Sequence, residues 1–387
     1  MSNTKLVREA LEALLIPILA VITALIIGGF IIVVTDPNVY SAFREGGIVV
    51  GFSAVVGGVW IAYSSMFMGS LGSLRNMSES LVESTPYIFA GLAVAVGFRG
   101  GLFNIGVEGQ LLVGAMASVY VATNFSLPWI IHMPLCIIVG MLAGGLWAAI
   151  AGYLKAETGA HEVITTIMMN YIVYLFFDWS INGFLCREGC ASPVSGLVPE
   201  SAFLPQINDF LVQSTAYRIH AGFIIALLVA AFIWWILFKT TIGFEIRTVG
   251  ANPNAARYGG INTTKVTVMT MAISGGLAGL AGAAQLLGVN RVLASGFSAG
   301  YGFDAIALAL LGRSHPLGVV LAAILFGTLR SGATSMQLSA EIPTDIIAVI
   351  QALVIVFIAA PAIIRRIYRL KPKADDEGAP VVRGWGA

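Results

Sequence analysis

Apolar residues run in long stretches along this chain, separated by short polar connections, and they do not alternate with polar residues as barrel strands require. Stretches of roughly 20 apolar residues, the length needed to cross a bilayer as a helix, lie at 14–34, 81–98, 109–125, 133–154, 163–185, 219–238, 266–288 and 343–364. Two shorter apolar pieces, 303–311 and 317–329, flank Gly312-Arg313-Ser314-His315-Pro316 and predict a pair of short or broken helices joined by a tight turn. The pattern predicts an all-α, polytopic membrane bundle of about ten transmembrane helices. Residues 1–364 form a single transmembrane domain in this reading, and 365–387 a cytoplasmic basic tail.

Charge supplies the orientation. Lys5 and Arg8 precede the first span, and Arg365, Arg366, Arg369, Lys371 and Lys373 follow the last, which places both termini in the cytoplasm and makes the number of crossings even. Eight spans plus the short pair satisfy that parity. Lys239, Arg247, Arg257 and Lys265 then also fall inside, in a cytoplasmic loop at 239–265. The apolar segment 46–68 breaks the parity if it crosses, so it is expected to be re-entrant or interfacial on the outer face. The first span is long and has no small-residue cleavage site before Asp36, so it reads as a retained span, not a signal peptide.

Ten spans divide into five and five, and an odd number per half predicts an inverted repeat. Two echoes fit it. Gly101-Leu102-Phe103-Asn104-Ile105-Gly106 resembles Gly300-Tyr301-Gly302-Phe303-Asp304-Ala305-Ile306, and His161 to Thr165 is echoed by Pro343 to Ile347. In that register 46–68 takes the place that the 239–265 loop holds in the other half.

Composition narrows the class further. Of the 387 residues 58% are hydrophobic and 11% charged, where soluble domains carry about a quarter charged; the mean hydropathy is +0.89. The 21 Lys and Arg balance 20 Asp and Glu, so no net field recruits nucleic acid, and the expected surroundings are membrane lipid. No phosphate-binding loop and no His-Glu-x-x-His motif is present, and no catalytic residue and no metal set is expected. Of the three cysteines, Cys136 lies in a span, while Cys186 and Cys190 are equally well read as an outer disulfide or as two thiols.

Polar groups at membrane depth are costly and usually line a cavity. The densest set is Phe103, Asn104, Glu108 and Gln110 among the glycines of 100–109, a stretch suited to an unwound backbone and to neutral, hydrogen-bonding solutes. Its alternative is a polar helix contact. Glu162, Thr166 and Asn170 share one helix face at i, i+4, i+8, with Tyr171 beside them; His161 reads as an interfacial hydrogen bonder. Asp304 opens the short helix pair, as a cap or as a path residue, with Tyr301 and Phe303 as stacking surfaces. In the cytoplasmic loop, Asn252 as cap, Pro253 at the first helical position and Gly259 as terminator predict a short helix shaped as a docking knob.

That loop, with Gly250-Ala251-Asn252-Pro253-x-Ala255-Ala256-x-Tyr258-x-Gly260-Ile261, resembles the coupling-helix region of ABC-transporter permeases in the branched-chain amino acid, ribose and nucleoside import group. The block Leu102 to Gln110 and the stretch Phe303 to Pro316 look like the simple-sugar branch and, more narrowly, the nucleoside branch. The likeness runs from about Ser80 to the last span, and 46–68 is longer than the family pattern. The resemblance implies a bacterial inner-membrane permease subunit that is not itself an enzyme and binds no cofactor. Its implied partners are an ATPase using ATP and Mg, a second related permease in a heterodimer, and an extracytoplasmic binding lipoprotein that delivers nucleosides. Glu245, Arg247, Gly250, Asn252, Ala255, Ala256, Arg257 and Tyr258 would then meet the ATPase. Phe103, Asn104, Glu108, Gln110, Glu162, Thr166, Asn170, Tyr171, Phe303 and Asp304 would line the path. Ribose or another simple sugar is the alternative substrate, with a branched-chain amino acid behind it, and a stand-alone secondary transporter or channel is the alternative class.

Overall fold

The computed structural model describes residues 3–187, 193–206, 217–340, 342 and 345–369. Among these the chain forms α1 (Asn3–Thr35), α2 (Pro37–Leu71), α3 (Leu74–Arg99), α4 (Val107–Asn124), α5 (Trp129–Thr158), α6 (Glu162–Asn182) and α7 (Ala221–Lys239). It continues as α8 (Thr241–Ala251), α9 (Pro253–Tyr258), α10 (Thr263–Gln285), α11 (Tyr301–Leu311), α12 (Pro316–Ala340), α13 (Asp345–Ala359) and α14 (Pro361–Ile367). A single π-turn, Leu286–Asn290, extends α10. Extended pairing among the described residues is confined to the isolated bridges Cys186–Ser195, Val194–Ala294 and Gln206–His220. Among the described residues eight helices are long and apolar enough to cross a membrane, so the protein is a multi-pass, all-helical membrane protein.

Three elements differ from the hydropathy pattern. The expected short pair is unequal, since α11 has 11 residues and α12 has 25. Arg330 and the small residues after it hide the length of α12 from a hydropathy count. The expected span 343–364 is broken at Ala360, because Pro361 has no amide hydrogen to continue the ladder and takes the first position of α14. Around 46–68, the non-helical backbone of Gly47 (φ 74°) ends the first part of α2, and a continuous helix follows to Leu71. At 1.5 Å per residue that helix measures roughly 36 Å, more than a bilayer's apolar thickness. Cys190 lies outside the described residues, as do Pro343, Thr344 and the 370–387 tail.

The chain divides into two compact units. The first comprises the described residues up to Ser80 and from Phe326 onward. In it α1 and α2 run antiparallel, with the Tyr63 hydroxyl donating to the carbonyl of Leu25 and Val59 beside Gly29. The hydroxyls of Thr23 and Tyr368 lie 3.0 Å apart.

The second unit, Leu81–Leu325, is built around α4, α5 and α10. Lipid is as apolar as leucine and does not squeeze helices together, so close contact here depends on small residues. Gly114 of α4, Gly140 and Gly144 of α5, and Gly275 and Gly279 of α10 meet backbone to backbone. A Cβ at Gly144 would come within 2.9 Å of the Gly279 Cα. One face of the unit carries the ends of α3 and α7, with α8 and α9 beside them. The side chain of Thr240 accepts from Gly243 N (3.2 Å), and Gly243 packs on the backbone of Leu237, which turns the chain sharply out of α7. At the opposite end of α7, His220 caps the helix by accepting from Gly222 N at 3.1 Å.

Candidate functional site

The backbone between α3 and α4 is unwound, as the glycines of 100–109 predict. Gly101 sits at φ 70°, a conformation an L side chain resists, and the amides of Gly100 and Leu102 fold back onto the carbonyl of Gly97. Asn104 is fully buried and holds the break from inside. Its Nδ2 donates to Gln110 Oε1 (2.8 Å) and Ser274 Oγ (2.9 Å), and its Oδ1 accepts from Gly106 N and Gln110 Nε2, both at 3.0 Å. Ser274 Oγ donates onward to the carbonyl of Ala93 at 2.6 Å. The whole amide of Asn104 is thus occupied within the chain.

Asn170 performs the same task from α6. Its Oδ1 accepts from Gly109 N and its Nδ2 donates to the Ile105 carbonyl, both at 3.0 Å, so one side chain satisfies two backbone groups on either side of the α4 start. Thr166 is buried and donates to Glu162 O at 2.7 Å. Asn170→Ala is therefore expected to strand the buried N–H of Gly109 and the part-buried carbonyl of Ile105, at a cost of roughly 1–3 kcal/mol. The check is a lower melting temperature of the detergent-purified chain than for Ile164→Ala, whose side chain is exposed.

The start of α11 brings carboxylates and phenols together. Gly302 packs on the first turn of α4 so tightly that a Cβ there would overlap the backbone of Glu108. Its amide donates to Glu108 Oε2 at 2.6 Å, and Ser298 and the Gly300 backbone hydrogen bond to the same carboxylate. Beside it, the Tyr87 hydroxyl donates to Asp304 Oδ2 (2.8 Å) and the Tyr301 hydroxyl to Glu83 Oε2 (3.0 Å), while the two rings meet edge to face at 4.9 Å. Three carboxylates thus gather near one helix N-terminus, whose dipole favours negative charge. Glu83 and Asp304 are half-buried and Phe303 is exposed, so this group reaches the surface of the unit, unlike the Asn104 network. Chemically it offers acceptors for hydroxyls or amines and aromatic rings for a flat apolar face.

The path residues named from the sequence therefore fall into separate sets. Asn104, Gln110 and Asn170 are buried and hold the break, Thr166 is buried and bonds within its own helix, and Glu108 and Asp304 join at the α11 start. Phe103 is half-buried against Phe98 at 5.1 Å. Glu162 forms an ion pair with Lys155 at 2.9 Å, which ties α6 to the end of α5. Tyr171 is 60% exposed and turns away from its neighbour Asn170. Glu83, Tyr87, Ser274 and Ser298 were missed; only Glu83 carried a signal, as an ionisable residue at the head of an apolar span.

The loop residues also divide. Asn252 caps α9, accepting from Asn254 N and Ala255 N at 3.0 Å each, with Pro253 in the first turn. Ala255, Arg257 and Tyr258 are exposed, Tyr258 to 98%, whereas Ala256 is buried under them. Glu245 and Arg247 are half-buried, and the Arg247 guanidinium lies over the ring of Phe238. Gly250 abuts the backbone of 99–101, and a Cβ there would overlap the carbonyl oxygen of Arg99.

In sequence the chain is similar to known transport proteins. A family described as the branched-chain amino acid transport system permease component matches residues 76–359. The guanosine ABC transporter permease protein NupP of Bacillus subtilis is 43% identical over 368 residues, covering 94% of this chain and 99% of that protein. The glucose ABC transporter permease protein TsgB13 of Haloferax volcanii is 32% identical, covering 94% and 91%. The nucleoside ABC transporter permease protein NupB of Lactococcus lactis is 36% identical, covering 79% and 85%. No solved structure matches.

Proposed function

Since the chain belongs to the family of permease components of branched-chain amino acid transport systems, we propose that it is the nucleoside-conducting permease subunit of an ATP-driven ABC importer. The observation that carries the coupled mechanism is the α8–α9 knob. It is capped at its start, it exposes Ala255, Arg257 and Tyr258, and it is joined through Gly250 to the turn that leads to the Asn104 break. A channel or a gradient-driven carrier needs no such part. Greater identity to the guanosine permease than to the glucose permease supports a nucleoside over a sugar.

In this reading α9 seats in a separate ATPase subunit that binds ATP and Mg, and this chain holds no cofactor. A second related permease completes the path, and a lipid-anchored binding protein delivers substrate to the outer face. The basic flanks Lys5, Arg8, Arg365, Arg366 and Arg369 support a bacterial cytoplasmic position for both termini. The carboxylates of Glu83, Glu108 and Asp304 accept from ribose hydroxyls, and Tyr87, Tyr301 and Phe303 offer ring surface to the base. Asn104, Gln110 and Asn170 keep the unwound backbone in register behind them.

The test is uptake of labelled guanosine into vesicles holding this chain, a second permease, an ATPase and a binding protein. Arg257→Glu with Tyr258→Asp is expected to lower ATP-driven uptake at least about tenfold, by burying unpaired charge in the docked contact, without altering the binding protein's affinity. Flux through the purified chain without ATP would refute the reading in favour of a channel. Competition by ribose as strong as by adenosine would move the substrate to sugars.

A further inference from the structure

Around the ring of Phe238, at the end of α7, the chain gathers positive charge that meets no counter-charge among the described residues. The guanidinium carbons of Arg99 and Arg247 each lie 5.4 Å from the ring centroid, and the His315 imidazole lies 5.4 Å away, tilted by 31°. Arg99 donates to the carbonyls of Ser314 (2.9 Å) and Arg313 (3.3 Å), and Arg247 donates to Gly243 O (3.3 Å). A guanidinium has five N–H groups, so most of the donors on this pair meet no acceptor among the described residues. No described carboxylate forms an ion pair with Arg99, Arg247 or Arg313; Glu245, on the same helix as Arg247, does not pair with it. Both guanidinium groups are half-buried, so water serves them only in part and their mutual repulsion is not fully screened.

The surroundings identify the depth. The last turns of α7 expose Phe232, Trp234 and Trp235, and Lys239 Nζ lies 5.7 Å over the Trp234 ring. Exposed tryptophan with lysine at a helix end is the signature of the membrane–water interface, where lipid headgroups sit. Arg313, exposed, stands in the adjoining turn, where Arg313 and Ser314 adopt left-handed backbone (φ 51° and 50°) and direct their carbonyls to Arg99. The anion that reaches this depth is a lipid phosphate, whose oxygens match the planar fork of arginine.

We propose that Arg99, Arg247 and His315, arranged about Phe238, together with the exposed Arg313 of the adjoining turn, bind the phosphate of an anionic phospholipid. The site is independent of the substrate and of the α9 contact, whose exposed residues it does not use.

The experiment measures lipid retained by the full-length chain in native mass spectrometry after delipidation and titration with phosphatidylglycerol or phosphatidylcholine. The wild type is expected to hold phosphatidylglycerol selectively. Arg247→Gln with Arg313→Gln should weaken that binding roughly fivefold per charge removed, while Arg247→Lys keeps most of it and Arg257→Gln, on the knob, changes nothing. Arg99 is left in place because it holds the 313–314 turn, and an unchanged helical circular-dichroism spectrum shows that the double variant folds. Equal retention of the two lipids, or retention unmoved in the double variant, would overturn the proposal. Displacement of phosphatidylglycerol by low millimolar inorganic phosphate would reassign the site to a free anion. Displacement by the purified ATPase subunit in place of lipid would reassign it to a partner's carboxylate.

Discussion

Gly279→Leu is expected to leave no monodisperse, folded chain in detergent. Gly279 lies where α4, α5 and α10 come closest, and a Cβ there would overlap the carbonyl oxygen of Gly140 and stand 3.3 Å from the Met141 Cα. The obstacle is backbone on a neighbouring helix, so no rotamer change relieves it. Small-to-large changes in well-packed cores cost typically 1–3 kcal/mol when side chains can shift, and more when the backbone must. Here the seam is shared, since Gly114 and Gly144 also press on Gly279, so displacing α10 opens two helix contacts at once. Gly276, three residues away on α10, gives the control. A Cβ there meets its nearest atoms, in Met141, at ordinary van der Waals distance (3.4 Å), so Gly276→Ala should leave the melting temperature nearly unchanged. Equal elution profiles for Gly279→Leu and wild type would show that α5 and α10 do not depend on this seam.

What the sequence could show follows the range of the interactions involved. Capping is local, so Asn252, Pro253 and Gly259 marked α9 as the structure has it. Apolar run length is also local, and it located most of the long helices, but the breaks at Gly47 and Ala360 depend on single backbone positions that a hydropathy window averages away. The two glycine-rich blocks at 101–106 and 300–306 were legible as echoes, and they lead into segments that pack on each other through Gly302 and Glu108. Which polar residue faces which partner was not legible. Tyr87 and Asp304 are 217 residues apart, and Asn104 finds Ser274 across 170. Tyr171 and Asn170 are adjacent, but one helical step of about 100° places the first outside and the second in the core. The same step separates exposed Ala255 from buried Ala256.

Gly250→Val should lower ATP-driven uptake at least about tenfold while the chain still assembles with its ATPase. The contact between α8 and the turn after α3 is backbone on backbone. A Cβ at Gly250 would overlap the Arg99 carbonyl oxygen and come within 2.8 Å of Gly100 C and Gly101 N. From the other side, a Cβ at Gly101 would stand 3.0 Å from the Gly250 Cα. Close-packed matter transmits displacement with little loss, and Asn104, which locks the break through Gln110 and Ser274, follows three residues after Gly101. A shift of α8 by even an ångström is therefore delivered to the unwound segment beside Glu108. Valine at 250 must push the two elements apart, and its branched Cβ has no rotamer that avoids the clash. The exposed face of α9 lies beyond the substitution and keeps Ala255, Arg257 and Tyr258 available for docking, so co-purification of the ATPase is the internal control. Gly259→Ala is the matched substitution, because a Cβ there meets nothing closer than 3.4 Å. If Gly250→Val transports at the wild-type rate, motion reaches the path by another route, and the fixed geometry between α8 and the 99–101 turn is structural only.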